Sequence, residues 1–113
     1  MARVIVTEKL KEEINKTFKK ESIEIFQLIY SLKENPKKGK ELTHVGNIIL
    51  KELKYKNFRF YFITDGFKLK MLKIEELTEL LIKFVRMSDK KYQQKTINEI
   101  KFILKKFGKE GFD

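Results

Sequence analysis

A stretch of alternating phenylalanines in the middle of the chain most restricts what it can fold into. Residues 58–63 read Phe-Arg-Phe-Tyr-Phe-Ile, and this period of two is that of a β-strand with two different faces. The segment Ile48–Tyr55 has the composition of a second strand, and Lys56-Asn57 between them predicts a tight turn. The sequence therefore predicts a hairpin that is apolar on one face and, through Arg59, cationic on the other. Such a surface suits a polyphosphate.

Length and composition predict a single domain. The chain has 113 residues, 42% of them hydrophobic, and ten are phenylalanines, which is enough for one core. It has no cysteine, which excludes disulfides and thiolate metal sites and is typical of a reducing compartment. No apolar run approaches the roughly 20 residues that cross a bilayer, and the N-terminus is too short for a signal peptide. We expect one cytoplasmic domain over residues 1–113, without a membrane partner.

The positive charge is concentrated in the second half of the chain. The net charge is +10; residues 1–35 carry seven basic and six acidic groups, residues 51–73 seven and two, and residues 83–109 nine and two. Clustered positive charge attracts a polyanion. Nucleic acid is the favoured partner over a membrane surface. The alternative is that the lysines only keep the chain soluble, and an acidic partner protein is compatible with either.

The N-terminal third predicts a strand followed by two helices. Residues 4–6 are a β-branched run, and Thr7 can cap the helix that follows. Apolar residues recur at helical spacing over residues 10–18 and again over 25–32. Pro36 disfavours a helical residue before it, so Asn35-Pro36 ends the second helix. This part of the chain is predicted to be a helical hairpin.

The segments on either side of the two central strands are predicted to be a loop and a further strand. Residues 37–46 are interpreted as a polar loop. Asp65-Gly66 predicts a type I′ turn, because glycine adopts a positive φ at little cost. Residues 67–73 are then the returning strand of a second hairpin.

The C-terminal third is predicted to end in a helix. Residues 74–87 fit both a helix and a strand, and we expect a short helix over 75–80 followed by a strand over 81–87. Ser88-Asp89 is expected to cap the last helix, and Gly108 to end it. Its inward residues are predicted to be Ile97, Ile100, Ile103, Leu104 and Phe107.

Basic side chains around Arg59 are the candidates for phosphate binding. The planar guanidinium group can donate two hydrogen bonds to one phosphate, and Tyr61 or Tyr92 can stack on a base or transfer a proton. Other basic residues are expected near Arg59. Neighbouring strands would contribute Lys54 or Lys51, and Lys68 or Lys70. Arg86, Lys90 and Lys91 would lie just before or at the start of the last helix. Alternatively, Arg59 only lies along Tyr61 and the lysines are solvated.

The sequence contains no recognisable metal-ligand set, since it has one histidine and no cysteine. His44, in the predicted polar loop, is a candidate for acid–base work, the alternative being an ordinary exposed histidine. Neither the glycines nor the serines match a phosphate-binding or nucleophile motif. We therefore expect no metal and no cofactor.

The order β-α-α-β-β-β-α resembles the RelE/ParE toxin superfamily. The likeness is carried by Asn35-Pro36 after the helical hairpin, the strand Glu52-Leu53-Lys54, the Phe-Arg-Phe-Tyr-Phe run, and Leu-Ile-Lys-Phe-Val-Arg-Met-Ser-Asp-Lys-Lys over residues 81–91. It covers about residues 3–107 and is closest to the HigB-like, phage-derived branch. It implies an α+β fold of the RelE type, in which an antiparallel sheet packs against the N-terminal helical hairpin, with a C-terminal helix.

The resemblance implies the toxin component of a type II toxin–antitoxin system. Many members are endoribonucleases (mRNA interferases) that cut mRNA on the ribosome without a metal, while ParE members inhibit DNA gyrase. The implied partners are mRNA, the ribosome and a separate acidic antitoxin protein. The implied reaction is attack of a ribose 2′-OH on the adjacent phosphate.

The resemblance also implies a role for each matched residue. Arg59 matches the family's Tyr-Arg position and Lys54 the basic position of its Glu-Leu-Arg strand. Arg86 and Tyr92 have the separation of an Arg and Tyr pair near the end of RelE-type nucleases. Arg59 and Arg86 would hold the phosphate, Lys54 or one of Lys90 and Lys91 would stabilise the leaving oxygen, and Tyr92, or else His44, would transfer a proton.

The chain departs from RelE-type nucleases at two places. Those nucleases carry two lysines where this chain has Leu50 and Glu52, and the stretch over residues 73–80 looks inserted. These departures favour an alternative class, a binding protein that inhibits gyrase or only binds an antitoxin. Arg59, Arg86 and Tyr92 together favour the nuclease.

Overall fold

A computed structural model describes residues 1–112 as one five-stranded sheet with helices on both faces. The strands are β1 (Arg3–Val6), β2 (Lys40–Val45), β3 (Ile48–Tyr55), β4 (Phe58–Asp65) and β5 (Leu81–Asp89). The helices are α1 (Glu8–Phe18), α2 (Ser22–Tyr30), α3 (Gly66–Met71) and α4 (Gln93–Phe107). The strand order is β1-β5-β4-β3-β2, and β1 runs parallel to β5 while the other neighbours are antiparallel. The predicted α+β class is confirmed, but the sheet is mixed rather than antiparallel.

The N-terminal helical hairpin forms as the sequence predicts. The Thr7 hydroxyl accepts a hydrogen bond from the Leu10 backbone N–H at 3.3 Å and so caps α1. A 3₁₀ turn over Lys19–Glu21 separates α1 from α2, and a second one over Ser31–Lys33 ends the hairpin before Asn35-Pro36. The β-branched strand and both helices are therefore predictable from local signals.

The hairpin packs on the phenylalanine face of the sheet. Phe60 and Phe62 of β4 are fully buried, and the Phe62 ring centroid lies 4.7 Å from that of Phe84 on β5. Ile14 of α1 and Ile25 of α2 close this core. The predicted alternation of β4 is confirmed, since these phenylalanines all belong to one cluster and Tyr61 belongs to another.

Helix α4 covers the opposite face. Tyr61 and Ile63 of β4 pack with Ile100 and Leu104. The prediction that Phe107 points inward is wrong, because its side chain is exposed. Helix α4 ends at Gly108, whose φ is +69°, and the 3₁₀ turn Gly108–Gly111 brings Phe112 back to fill that end of the core.

Residues 37–46 are not wholly a loop, because Lys40–Val45 forms the edge strand β2. It pairs with β3 from Lys40↔Glu52 to Val45↔Ile48, with a bulge between Glu41 and Thr43. Leu42 and Val45 of β2 pack partly against the core on the α4 side, but its other four residues are polar, as an edge strand permits. Its polar sequence therefore conceals it, and only the pairing with β3 reveals it.

The predicted hairpin at Asp65-Gly66 is wrong. Asp65 caps the short helix α3 instead, its Oδ1 accepting from the Lys68 backbone N–H at 3.0 Å. Aspartate followed by glycine suits a helix start as well as a type I′ turn. Leu69 is buried beneath α3, so burial of this leucine selects the helix over the predicted strand at 67–73.

The ambiguous segment over residues 74–87 is strand in its second half. One 3₁₀ turn over Ile74–Glu76 replaces the short helix expected at 75–80, and β5 follows as predicted from residue 81. Ser88 belongs to β5, and Asp89 alone caps the next turn, its Oδ1 accepting from the Tyr92 backbone N–H at 3.0 Å.

Removing the Phe60 ring tests this register. Phe60→Ala is expected to lower the free energy of unfolding by about 3–5 kcal/mol, because it leaves a cavity in the core. Phe102→Ala is the matched control: Phe102 is exposed on α4, and its removal should change stability by about 0.5 kcal/mol or less. Urea titration of both variants measures the difference, and equal stabilities would contradict the register.

Candidate functional site

A basic cleft lies where β3, β4 and the start of α4 meet. We call it the Arg59 cleft; its volume is about 560 Å³. Its lining residues are Leu28, Lys38, Gly39, Lys40, Glu52, Leu53, Lys54, Arg59 and Gln93. Four of these side chains are cationic and one is a carboxylate, so the cleft suits an anion.

The strand register places the charged side chains of this cleft. Lys54 and Arg59 are directly paired across β3 and β4, and Glu52 lies two residues before Lys54 and so shares its face. Strand β2 pairs with β3 only as far as Lys40↔Glu52. The C-terminal end of β3 therefore extends beyond the edge strand β2, and the cleft opens there.

Arg59 lies at the base of the cleft and is buried, with 8% of its side chain exposed. Its Nε lies 3.5 Å from Glu52 Oε2, and its Nη1 donates to the Phe58 carbonyl oxygen at 3.4 Å. Glu52 Oε1 accepts from Gln93 Nε2 at 3.0 Å. Glu52 thus joins β3 to both β4 and α4. The guanidinium carries five N–H donors, so these contacts leave donors for a bound anion.

The prediction that Arg59 points away from the phenylalanine face, with Lys54, is confirmed by the register. The surface that Arg59 faces also contains a carboxylate, since Glu52 Oε2 lies 3.5 Å from Arg59 Nε. Glu52 was predicted only to replace a lysine and not to contact Arg59. The period-two alternation that selects Lys54 also selects Glu52, so that signal was present.

Three other polar side chains of the lining were missed. Lys38 and Lys40 belong to the segment interpreted as a loop, and Gln93 to the first turn of α4. They are remote from Arg59 along the chain. The strand pairing and the packing of α4 bring them to the cleft, and no local sequence signal indicates this.

Arg86 is held apart from the Arg59 cleft by an acidic neighbour. Its Nε donates to Glu99 Oε1 on α4 at 2.8 Å, and its Nη1 donates to the Val85 carbonyl oxygen at 2.7 Å. Its guanidinium also lies 5.2 Å from the centre of the Phe112 ring. Burial raises the pKa of Glu13, a rise that the charge of Arg86 opposes. These contacts make Arg86 a clamp between β5 and α4.

Tyr92, Lys90 and Lys91 lie at the same end of the sheet as Arg59. Lys90 and Lys91 line a shallow depression with Asn57 and Asp89, and Lys91 Nζ lies 5.5 Å from the centre of the Tyr92 ring. Tyr92 is half exposed and immediately precedes Gln93 of the Arg59 cleft. These side chains can extend the cationic surface beyond the cleft.

The remaining candidates do not join Arg59, contrary to the expected shared face. Lys51 pairs with Phe62 and belongs to the helical-hairpin face. Lys68 and Lys70 lie on α3, not on a strand, and Lys70 Nζ forms an ion pair with Glu41 at 3.3 Å. His44 is exposed on β2 beside Phe67 and Met71 of α3.

No cluster of three or more metal-ligating side chains occurs within residues 1–112. None of the helices described is both long enough and apolar enough to cross a membrane. Comparison of the chain with protein-family models, curated proteins and solved structures found no match.

The buried pair of Arg59 and Glu52 makes a stability prediction. Arg59→Met is expected to cost on the order of 3 kcal/mol, because it leaves Glu52 buried without its counter-charge. Glu52→Gln in the same background should recover part of that loss, since it removes the uncompensated charge. Chemical denaturation of the two single variants and the double variant measures the coupling, and strictly additive effects would contradict a direct pair.

Proposed function

We propose that the chain is a RelE/ParE-like toxin that cuts mRNA on the ribosome without a metal. The observation that carries the proposal is the Arg59 cleft, in which basic side chains surround one carboxylate, Glu52. RNA cleavage by 2′-OH attack needs a base for the nucleophile and cations for the phosphate. The resemblance to the RelE/ParE superfamily supplies the substrate class, and a cytoplasmic location with an acidic antitoxin partner belongs to the same proposal.

The proposed reaction uses Glu52 in place of the lysines of RelE-type nucleases. A phosphate that enters the cleft competes with Glu52 for the Arg59 guanidinium, and Glu52 Oε2 then accepts the proton of the 2′-OH. The 2′-oxygen attacks phosphorus, the bond from phosphorus to the 5′-oxygen breaks, and a 2′,3′-cyclic phosphate forms. Arg59 stabilises the charge on the phosphate oxygens.

The other side chains act around this centre. Lys54, exposed at the rim opposite Arg59, neutralises or protonates the leaving 5′-oxygen. Tyr92 offers an exposed ring on which a base can stack. Lys90 and Lys91 follow the RNA backbone outside the cleft. Arg86 positions α4 and does not contact the phosphate, because Glu99 holds it.

A second candidate function is binding without cleavage, either of gyrase or of an antitoxin alone. The observation that favours it is the ion pair of Arg59 with Glu52, which reduces the positive field at the base of the cleft. Under this candidate Glu52 is only a structural partner of Arg59. The two candidates differ in whether the wild-type protein cleaves RNA at all.

Cleavage of a ribosome-bound mRNA, mapped at its 3′ ends, tests the nuclease. Glu52→Gln is expected to lower the rate by about 10²–10⁴-fold, as for loss of a general base, and Arg59→Ala by about 10²–10³-fold. Arg59→Lys should restore only part of the rate, since an ammonium cannot reproduce the guanidinium fork.

Glu12→Gln, which removes an exposed carboxylate on α1, is the matched control and should cleave at the wild-type rate. Thermal melting of each variant separates catalysis from folding. Full activity in folded Glu52→Gln would remove Glu52 from the mechanism. Binding to ribosomes or gyrase without any cleavage by the wild type would select the second candidate.

Binding of single-stranded RNA should depend steeply on salt. If the cleft and its rim contact about three phosphates, log K should fall against log salt with a slope of about −2. Lys54→Gln should make that slope shallower by about 0.7, the share of one phosphate contact. Lys16→Gln, an exposed control on α1, should leave it unchanged. A slope near zero would argue against a phosphate-binding cleft.

A further inference from the structure

Lys51 is a buried lysine that has no acidic partner at ion-pair distance among residues 1–112. Only 4% of the residue is exposed. Its Nζ donates to the Lys37 carbonyl oxygen at 3.0 Å and lies 5.8 Å from the centre of the Phe62 ring. An ammonium group has three donors, so one carbonyl oxygen and a ring face leave its hydrogen-bonding capacity only partly used.

The Lys51 side chain lines a second cleft on the helical-hairpin face of the sheet. This Lys51 cleft has a volume of about 310 Å³ and is also lined by Lys37, Lys70 and Glu41. Small-molecule sites in proteins range from roughly 300 to 1,000 Å³, so the cleft has room for one phosphate group and part of what carries it. Three cations against one carboxylate give its lining a positive balance.

Burying a lysine without a counter-charge works against folding. Burial lowers the pKa of Lys51, and the charge of Glu41 opposes this only in part. A methionine of similar length would fill the same space beside Phe62 without that cost. The lysine is therefore explained by an anion that supplies the missing counter-charge when it binds.

We propose that the Lys51 cleft is a phosphate-binding site separate from the Arg59 cleft. Lys51 contributes a buried positive charge. Lys70 contributes an exposed positive charge, and a bound phosphate would compete with Glu41 for its ammonium group. Lysine binds phosphate as a point charge. The site takes the phosphate either of a free nucleotide or of an RNA chain that continues from the Arg59 cleft.

An RNA chain could reach from the Arg59 cleft to the Lys51 cleft because the two clefts adjoin. Gly39 lines both of them, with Lys37 in one and Lys38 and Lys40 in the other. An RNA strand that leaves the Arg59 cleft over Gly39 therefore meets the Lys51 cleft next. Only binding of an RNA chain rests on the proposed function.

Binding measurements that need no cleavage test the site. The probes are uridine 5′-monophosphate, uridine as the control without phosphate, and hexadeoxyuridylate, which has no 2′-OH and cannot be cut by the proposed reaction. The readouts are calorimetry and the NMR shift of the Lys51 Cε resonance. Lys51→Met should lower the affinity for whichever phosphate probe binds by at least tenfold. It should also raise the melting temperature of the protein. Lys16→Met removes the same charge at an exposed site and should lower that affinity less than twofold.

Glu41→Gln should have the opposite effect and tighten binding, because it frees Lys70; this variant serves even if Lys51→Met does not fold. A Lys51 shift with the monophosphate assigns a free nucleotide, and a shift only with hexadeoxyuridylate assigns an RNA chain. Any of four results would overturn the proposal. Two of them are no Lys51 shift with either probe and no loss of affinity in folded Lys51→Met. The others are an equal loss of affinity in Lys16→Met and unchanged affinity in Glu41→Gln. Loss of nuclease activity plays no part in these outcomes.

Discussion

The pairing of β3 with β4 is the constraint on which both clefts depend. In the observed register Phe60 and Phe62 are buried against the helical hairpin, with Leu53 opposite Phe60 and Lys54 opposite Arg59. A slip of one residue would turn the phenylalanines toward α4 and Arg59 into the apolar core. Burial of two aromatic rings is worth several kcal/mol. The cost of losing it fixes the side on which every charged residue of β3 and β4 lies.

Among residues 1–112, three charged side chains are nonetheless buried: Arg59, Glu52 and Lys51. Arginine and glutamate form a pair, and Gln93 satisfies the second oxygen of the glutamate. Replacing a buried ion pair by apolar residues is often neutral or stabilising. Stability alone therefore does not require these residues at these positions. All three lie on the walls of the two clefts, where the proposed phosphate ligands would meet them.

Local patterns predicted the parts of the fold that have their own signals. The alternation over residues 58–63 gave β4, and Thr7 gave the start of α1. The type I′ hairpin at Asp65-Gly66 was wrong because the same dipeptide can cap a helix, and the choice depends on the burial of Leu69. Strand β2 was missed because it lies at the sheet edge, where polar residues are tolerated. Tertiary contacts decide which secondary structure these segments adopt, so the local sequence alone does not predict it.

The same distinction applies to the sites. Period-two reasoning placed Lys54 and Arg59 together correctly, and the same rule puts Lys51 on the opposite face, so Lys51 and Lys54 were never alternatives for one site. By contrast, Gln93 and the two lysines that precede and begin β2 reach the Arg59 cleft only through the topology. Sequence alone could therefore predict that Lys54 and Arg59 share a face, but not which other residues line the Arg59 cleft.

The segment that leads into β2 links the two faces physically. Gly39 has a φ of +104°, and a Cβ there would lie 2.8 Å from the Phe62 ring and 3.1 Å from the Glu52 carbonyl oxygen. The backbone therefore passes close over the ring, which only glycine permits at this φ. This path places the Lys37 carbonyl oxygen on Lys51 and Lys40 opposite Glu52. One backbone path therefore positions groups in both clefts.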